Sequence, residues 1–370
     1  MTHTSPLEEI IIEKIERHGP ISFRDFMEMA LYYPGLGYYN SASEKIGKNG
    51  DYYTSPYLTD LFGEMIAKQL EEMWLQMGKG PFTLVEYGAG PGSLCMDILQ
   101  QLKNNPELYE NLNYCIIEKS EFMQQQEQSL LHEKVQWCNS ISEIAGFNGC
   151  VLSNEVADNF AVHQVVMQEQ LMEVFVGYNN GFVELLRPAS ISLRNYLDEL
   201  GVQLSPGFIT EINLEAIEWV SQIAAALQKG FFINIDYGGT SAELYSEQRR
   251  AGTLLCFHQH SINDSLYSNV GRQDITAHVN FSALAHFGKQ QGFECAGFTS
   301  QSNFLLSLGL TNRLRELEQQ AGNRMDARSK KLLLLQNFLM DMGRKIKVLV
   351  LQKGMNRPLL SGLQFAKRIF

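Results

Sequence analysis

The sequence predicts an α/β protein built on a Rossmann-like, mostly parallel sheet. Three observations lead there. From residue 83 onward, short apolar runs of strand length alternate with segments of helical periodicity. The first of these runs, Thr83 to Tyr87, enters a glycine-rich turn, Gly88-Ala89-Gly90-Pro91-Gly92, which opens a helix. At 370 residues the chain has room for one large α/β domain with insertions, or for two smaller domains.

Taken in chain order, the elements begin with helices. Leu7, Ile10, Ile11 and Ile15 recur at helical spacing, and Pro20 stops that helix. A second short helix begins near Ser22. From Tyr32 to Pro56 the chain is rich in Tyr, Gly, Asn and Ser, with turn chemistry at Pro34-Gly35 and Asn49-Gly50. An irregular loop of that length is usually functional. Leu58, Leu61, Phe62, Met65, Leu70, Met73 and Trp74 then mark an amphipathic helix over Tyr57 to Met77.

Strands follow at Thr83 to Tyr87, Asn113 to Glu118, Val135 to Cys138, Cys150 to Ser153 and Phe231 to Ile235, with a final buried strand over Lys345 to Gln352. Helices are expected at Leu94 to Leu102 and around Ile212 to Leu227. Between the fourth and fifth strands, Gln164 to Arg187 alternates polar and apolar residues around Asn179-Asn180-Gly181, which predicts a β-hairpin insertion. A further insertion, irregular in pattern, covers about Gly238 to Asn280. The division expected is N-terminal helices and a covering loop in residues 1–80, then a core in 81–370 with insertions at about 164–210 and 238–280.

Composition excludes several classes. The 30 Lys and Arg against 41 Asp and Glu give a formal charge of -11, which disfavours nucleic acid and anionic membrane surfaces and suits a cationic substrate. The six cysteines are scattered without zinc-site spacing, so no metal is expected and the thiols read as reduced. The N-terminal stretch lacks a signal-peptide core and is too acidic for a transit peptide, and no run reaches the ~20 apolar residues that span a bilayer. A soluble, cytoplasmic protein is the expectation; nothing bears on its oligomeric state.

The segment Leu84 to Leu94 is the most informative. Three glycines after a buried strand permit a tight turn and close backbone approach to a ligand, and the helix that follows begins with unpaired amides. Glycine at such a junction can also serve packing alone. Two neighbours argue for a ligand. Glu86 stands where it can accept hydrogen bonds from a ligand ammonium, which a pyrophosphate loop would not tolerate so close; Glu118, at the end of the second strand, is placed to hold two ribose hydroxyls. The order ExGxGxG, with Pro91 removing an amide donor, favours S-adenosylmethionine over NAD. An NAD-dependent dehydrogenase is the reading this order speaks against.

Further blocks widen the pattern: His18-Gly19-Pro20-Ile21-Ser22 with Phe26-Met27, Tyr33 to Tyr39, Gly50 to Pro56, Phe62-Gly63-Glu64, Asn154-Glu155 with Asp158, Val162-His163-Gln164, Asp236-Tyr237-Gly238 and Asp274 to Phe281. In that order they resemble the MidA-type family of class I methyltransferases, whose mitochondrial members are complex I assembly factors that symmetrically dimethylate a protein arginine. The resemblance covers most of the chain. It implies a seven-stranded sheet with its last strand antiparallel, N-terminal helices, a β-rich insertion, and a protein substrate, with a respiratory complex subunit as the partner class. Two departures stand out. Where the family reads Asn-Glu-Phe-Phe-Asp-Ala-Leu-Pro, this chain has Asn154-Glu155-Val156-Ala157-Asp158-Asn159-Phe160-Ala161, and Tyr57 replaces an acidic residue.

The chemistry expected is in-line methyl transfer to nitrogen, with arginine favoured. It needs no metal; alignment and exclusion of water do most of the work. A guanidinium is a poor nucleophile, so acids must orient it and receive its proton. Glu155 is expected to orient the acceptor with Asp158 assisting, although Asp158 could instead cap the following helix. Asn154 is placed to hold the acceptor or the adenosyl group. The cofactor residues expected are Glu86, Gly88, Ala89, Gly90, Gly92, Glu118 and Asn154, with Asp51 and Thr54 folding over from the N-terminal loop unless they are loop structure alone. Asp236 is a weaker candidate. His163 and His278 read as structural histidines or proton relays, and Tyr38, Tyr39, Tyr52 and Tyr53 as packing or as an acceptor channel. A second class of function, a cofactor-binding assembly factor without turnover, fits the same residues.

Overall fold

Apolar residues along the central strands point alternately to two different cores. In β1 (Phe82–Tyr87) Leu84 joins one and Val85 the other; in β4 (Phe147–Asn154) Cys150 and Leu152 oppose Val151. β5 (Leu227–Gly239) and β7 (Ile346–Lys353) do the same, Phe231 and Ile233 against Phe232, Val348 and Val350 against Leu349 and Leu351. Strands buried on both faces read as continuous apolar runs, which is why these were visible in the sequence. The structure, a computed structural model, describes residues 5–41, 45, 59–131, 133–259, 261–321, 343–367 and 369.

With β2 (Leu112–Ile117), β3 (Val135–Trp137) and β6 (Glu294–Ser300) the strand order is β3-β2-β1-β4-β5-β7-β6. β7 runs antiparallel to both its neighbours, and the pairs among β1 to β5 are parallel. This is the seven-stranded sheet with its last strand antiparallel that the resemblance implies, with short Val279–Asn280 added beside the end of β5. The sequence pattern missed β6. Its residues, Glu-Cys-Ala-Gly-Phe-Thr-Ser, sit half-buried at the sheet edge with a register shift between Cys295 and Gly297, so they show neither an apolar run nor clean alternation.

Helices cover both faces. α3 (Leu61–Gln76) and α4 (Ser93–Leu102) pack Phe62, Met65, Ile98 and Leu94 onto one; α6 (Leu214–Ala226) and α7 (Phe281–Gln290) pack Trp219, Ile223, Phe281 and Leu284 onto the other. The N-terminus forms α1 (Pro6–His18), closed by a reciprocal cap between Ser5 and Glu8, and α2 (Phe23–Tyr32), capped by Ser22. Between β2 and β3 lies α5 (Glu121–Leu130).

The segment between β4 and β5 builds a separate five-stranded antiparallel sheet from Ile21–Ser22, His163–Met167, Leu171–Tyr178, Phe182–Pro188 and Ile209–Ile212. Its hairpin turns at Asn179 to Gly181, with Asn180 at φ +55. Ile21 and Ser22 pair with Val176 and Phe175, which ties the N-terminal helices to this insertion. The region after β5 holds more order than its irregular pattern suggested. Leu255–His258, Ser261–Asn263 and Asp274–Thr276 form a three-stranded sheet, each strand too short to reveal a period. No helix among the described residues is long and apolar enough to cross a membrane. The six cysteines, all within the described residues, form no disulfide.

Candidate active site

A cavity of about 1620 Å³ opens along the carboxyl edge of the parallel strands. Open α/β sheets bind ligands there, because the βα turns leave helix amides and strand-end side chains facing one crevice. Glu86, Gly88, Ala89, Gly90, Glu118, Asn154, Glu155 and Asp158 all line it, so the acids Glu86, Glu118 and Glu155 share one hollow. Gly92 stands at the start of α4, beside the lining. Asp51 and Thr54, with Tyr52 and Tyr53, lie outside the described residues.

The glycine turn takes its shape from backbone conformations that side chains resist. Gly88, Gly90 and Gly92 have φ of +61, +57 and +83. A methyl group on Gly88 would stand 2.9 Å from Val156 Cγ2, so the loops after β1 and β4 touch through that missing side chain. Val156 takes this contact where the family has phenylalanine. Phe160 packs edge-on to Trp219 at 5.3 Å, so an aromatic wall persists on this side.

Glu86 is buried on β1, and its Oε2 accepts a 2.6 Å hydrogen bond from the Tyr114 hydroxyl on β2. Burial pushes its carboxyl up to about 7, with the Tyr114 bond acting against the shift and Glu118 adding to it. Glu118 follows β2 and accepts from the Ser120 amide at 2.7 Å. Burial lifts it to about 7 as well, opposed by the amides of Ser120 and Lys119. Ser120 also donates to the Tyr39 carbonyl at 2.7 Å, which holds the N-terminal segment against the second acid.

At the end of β4, Glu155 adopts φ +55, unusual for a residue with a side chain, and its amide donates to the Ile235 carbonyl at 2.8 Å. Asn154 Nδ2 lies 3.3 Å from Glu155 Oε1, and Asn154 Oδ1 is buried with no hydrogen-bond partner among the described residues. Asp158 sits in the short turn Ala157–Asn159, where no side-chain cap forms. Burial raises its pKa well above the usual range, and the neighbouring Asp236, Glu155 and Asp274 add to the shift.

Asp236 does not line the cavity. Its Oδ2 accepts from the Val156 and Ala157 amides at 3.2 and 2.9 Å, and its Oδ1 from Tyr237 at 2.8 Å, so it braces the 155–158 turn from behind. Of the tyrosines, Tyr39 lines the cavity and donates to Asp274 at 3.0 Å, while Tyr38 is core. His278 lines it beside Arg249, with a pKa lowered to about 4 by burial and then by that cation. His163 lines it too. Tyr32 and Asp274 are wall residues that pattern alone did not single out: Tyr32 stacks on Tyr39 with Lys119 Nζ 3.9 Å from its ring centre, and Asp274 comes from the second insertion.

Residues 65–299 match the family described as S-adenosyl-L-methionine-dependent methyltransferases. The chain belongs to that family. A superfamily member from Burkholderia thailandensis, crystallised with S-adenosyl-homocysteine, superposes with a TM-score of 0.87 at 29% identity, over 98% of this chain and 95% of that one. The chain is similar to the Caenorhabditis elegans protein arginine methyltransferase NDUFAF7 homolog, mitochondrial, at 28% identity over 93% of this chain and 85% of the relative. With human protein arginine methyltransferase NDUFAF7, mitochondrial, it shares 27% over 85% of this chain and 75% of the relative.

The site suits the methyltransferase cofactor on its own terms. The glycine turn admits a ligand against the backbone, and the buried, unpaired Asn154 Oδ1 is an acceptor awaiting a donor. S-adenosylmethionine is the cofactor of this protein.

Proposed function

We propose that this methyltransferase transfers the methyl group to an arginine nitrogen of a partner protein, a respiratory complex subunit being the class that the family resemblance implies. The observation that carries this reading is the concentration of acid beyond the glycine turn. Glu155, Asp158 and Asp274 line the cavity, Asp236 stands behind them, and Asp158 Oδ1 is buried without a hydrogen-bond partner among the described residues. Burial and then the neighbouring acids favour proton retention on Asp158. A guanidinium would satisfy the Asp158 oxygen through a charge-assisted hydrogen bond and let that acid ionise. The cavity, about 1620 Å³, exceeds the ~300–1,000 Å³ typical of a small-ligand pocket, which supports room for an acceptor side chain beside the cofactor. The names of the relatives point the same way.

In this reading Gly88, Ala89, Gly90 and Gly92 cradle the cofactor, Glu86 receives its ammonium, and Glu118 receives its ribose hydroxyls. The cofactor supplies an electrophilic methyl group on a sulfonium. Glu155, with Asn154 at its flank and Asp158 assisting, holds the acceptor nitrogen in line.

The acids at Glu86 and Glu118 set a pH dependence. Each ionises near 7, and each must be a carboxylate to accept from the ligand, so binding at lower pH has to expel protons. Affinity for S-adenosyl-homocysteine is expected to rise by about tenfold or more from pH 6 to pH 8. Calorimetry in buffers of different ionisation enthalpy would register the released protons. A flat affinity across that range would remove both acids from ligand contact.

The acceptor itself is tested by supplying labelled S-adenosylmethionine to a cell lysate lacking this protein, with and without the enzyme added back. Hydrolysis of the labelled protein fraction is expected to yield methylarginine. Label recovered only in methyllysine or methylhistidine would replace the arginine reading.

A further inference from the structure

His163, read from the sequence as structural or a proton relay, pairs with Glu173, and the proposed function leaves this pair unused. His163 opens the strand His163–Met167, and Glu173 lies on Leu171–Tyr178 beside it. Val165 stands opposite Glu173 in this antiparallel pair, so His163, two residues earlier, shares a face with Glu173 as its diagonal neighbour. The His163 Nδ1 to Glu173 Oε1 distance is 2.7 Å, with the two side chains 22% and 8% exposed. A buried carboxylate on Nδ1 keeps the proton of the neutral ring there, leaving the Nε2 lone pair as the basic position. His163 lines the same cavity as Asn154, Glu155 and Asp158, and Nε2 makes no hydrogen bond among the described residues.

Methylation of a guanidinium requires a proton acceptor. Glu155 is committed to orienting the nitrogen, and Asp158, buried beside other acids, is committed to holding the cation with it. We propose that His163 is the general base of the reaction, accepting the acceptor arginine's proton at Nε2, and that Glu173 is its positioning residue. As the N–CH3 bond forms from the nitrogen's lone pair, the S–CH3 electron pair stays with the departing sulfur. The proton lost by the guanidinium passes to Nε2. The resulting imidazolium is neutralised by Glu173 until the proton leaves through the open side of the cleft. Glu173 belongs to the inserted sheet, so this insertion supplies part of the reaction machinery. The inference rests on the arginine reading above.

The test uses the full chain with labelled S-adenosylmethionine and the lysate acceptor. His163→Ala is expected to lower kcat by about 10²-fold or more with S-adenosyl-homocysteine affinity unchanged, and added imidazole is expected to restore part of the loss. Glu173→Gln, which preserves shape, is expected to lower kcat by about tenfold or more through loss of ring orientation. Near-wild-type turnover by His163→Ala, or a loss in a cofactor-binding variant that imidazole does not relieve, overturns the proposal while leaving the arginine reading intact. Failure of the wild-type protein to methylate any arginine defeats that reading, and the proposal with it.

Discussion

Glu155→Gln is expected to lower methyl transfer by about 10²- to 10³-fold while leaving S-adenosyl-homocysteine affinity essentially unchanged. The glutamine is nearly isosteric, so the backbone at φ +55 and its amide bond to Ile235 have no reason to move. What disappears is the full negative charge that faces the acceptor. A carboxylate can engage two guanidinium N–H groups at once, whereas the amide offers one acceptor and turns a donor toward a cation. The loss is therefore expected in kcat, since orientation in the transition state is the role proposed for the acid. Single-turnover transfer with saturating cofactor, beside calorimetry of cofactor binding, separates the two quantities. Turnover equal to wild type would take Glu155 out of acceptor alignment; an equal loss of cofactor affinity would move it to the cofactor side.

Gly149→Ala is expected to be among the most destabilising single substitutions in the molecule. Gly149 lies in β4 opposite Thr83 of β1, and a Cβ there would stand 1.9 Å from the Thr83 carbonyl oxygen. The obstacle is backbone held in the central sheet, not a side chain that can rotate. Overpacking and strained backbone each cost ~1–3 kcal/mol, so a combined loss of about 3 kcal/mol or more is expected, with a fall of roughly 5 °C or more in apparent melting temperature. Gly146→Ala is the control. It has φ +87 but nothing within 4 Å of its would-be Cβ, so it carries conformational strain without collision. A Gly149→Ala protein that melts with the Gly146→Ala protein would show that β1 and β4 can separate at that point. Because Gly149 lies at the opposite end of β4 from Glu155, any folded variant should retain its cofactor affinity.

The parts of the site that were legible are those whose signal is local. The glycine turn, Glu86 and Glu118 fall at strand ends whose apolar runs announce themselves, and a strand end in such a sheet is already a position in the crevice. Asn154, Glu155 and Asp158 were legible for the same reason. Asp236 was not. It also ends a buried strand, but its carboxylate turns back onto the Val156 and Ala157 amides, a choice made by hydrogen bonds between segments about 80 residues apart. Tyr32 was missed, and Asp274 entered only as the start of a family block without a site role, because each reaches the cavity from a region with no strand period of its own. Glu173 looks like one more polar residue in an alternating strand, until its burial against His163 is seen.

By itself the sequence determined the fold class, the glycine turn and the acids at the carboxyl edge, because periodicity and turn chemistry are properties of neighbours along the chain. Only the tertiary structure decided which acids face the cavity and which brace it, where β6 lies, and that Ile21–Ser22 joins the inserted sheet across from Val176 and Phe175. Those outcomes depend on packing and hydrogen bonds between segments far apart in sequence. Short edge strands and single buried carboxylates leave no repeating pattern from which such pairings can be read.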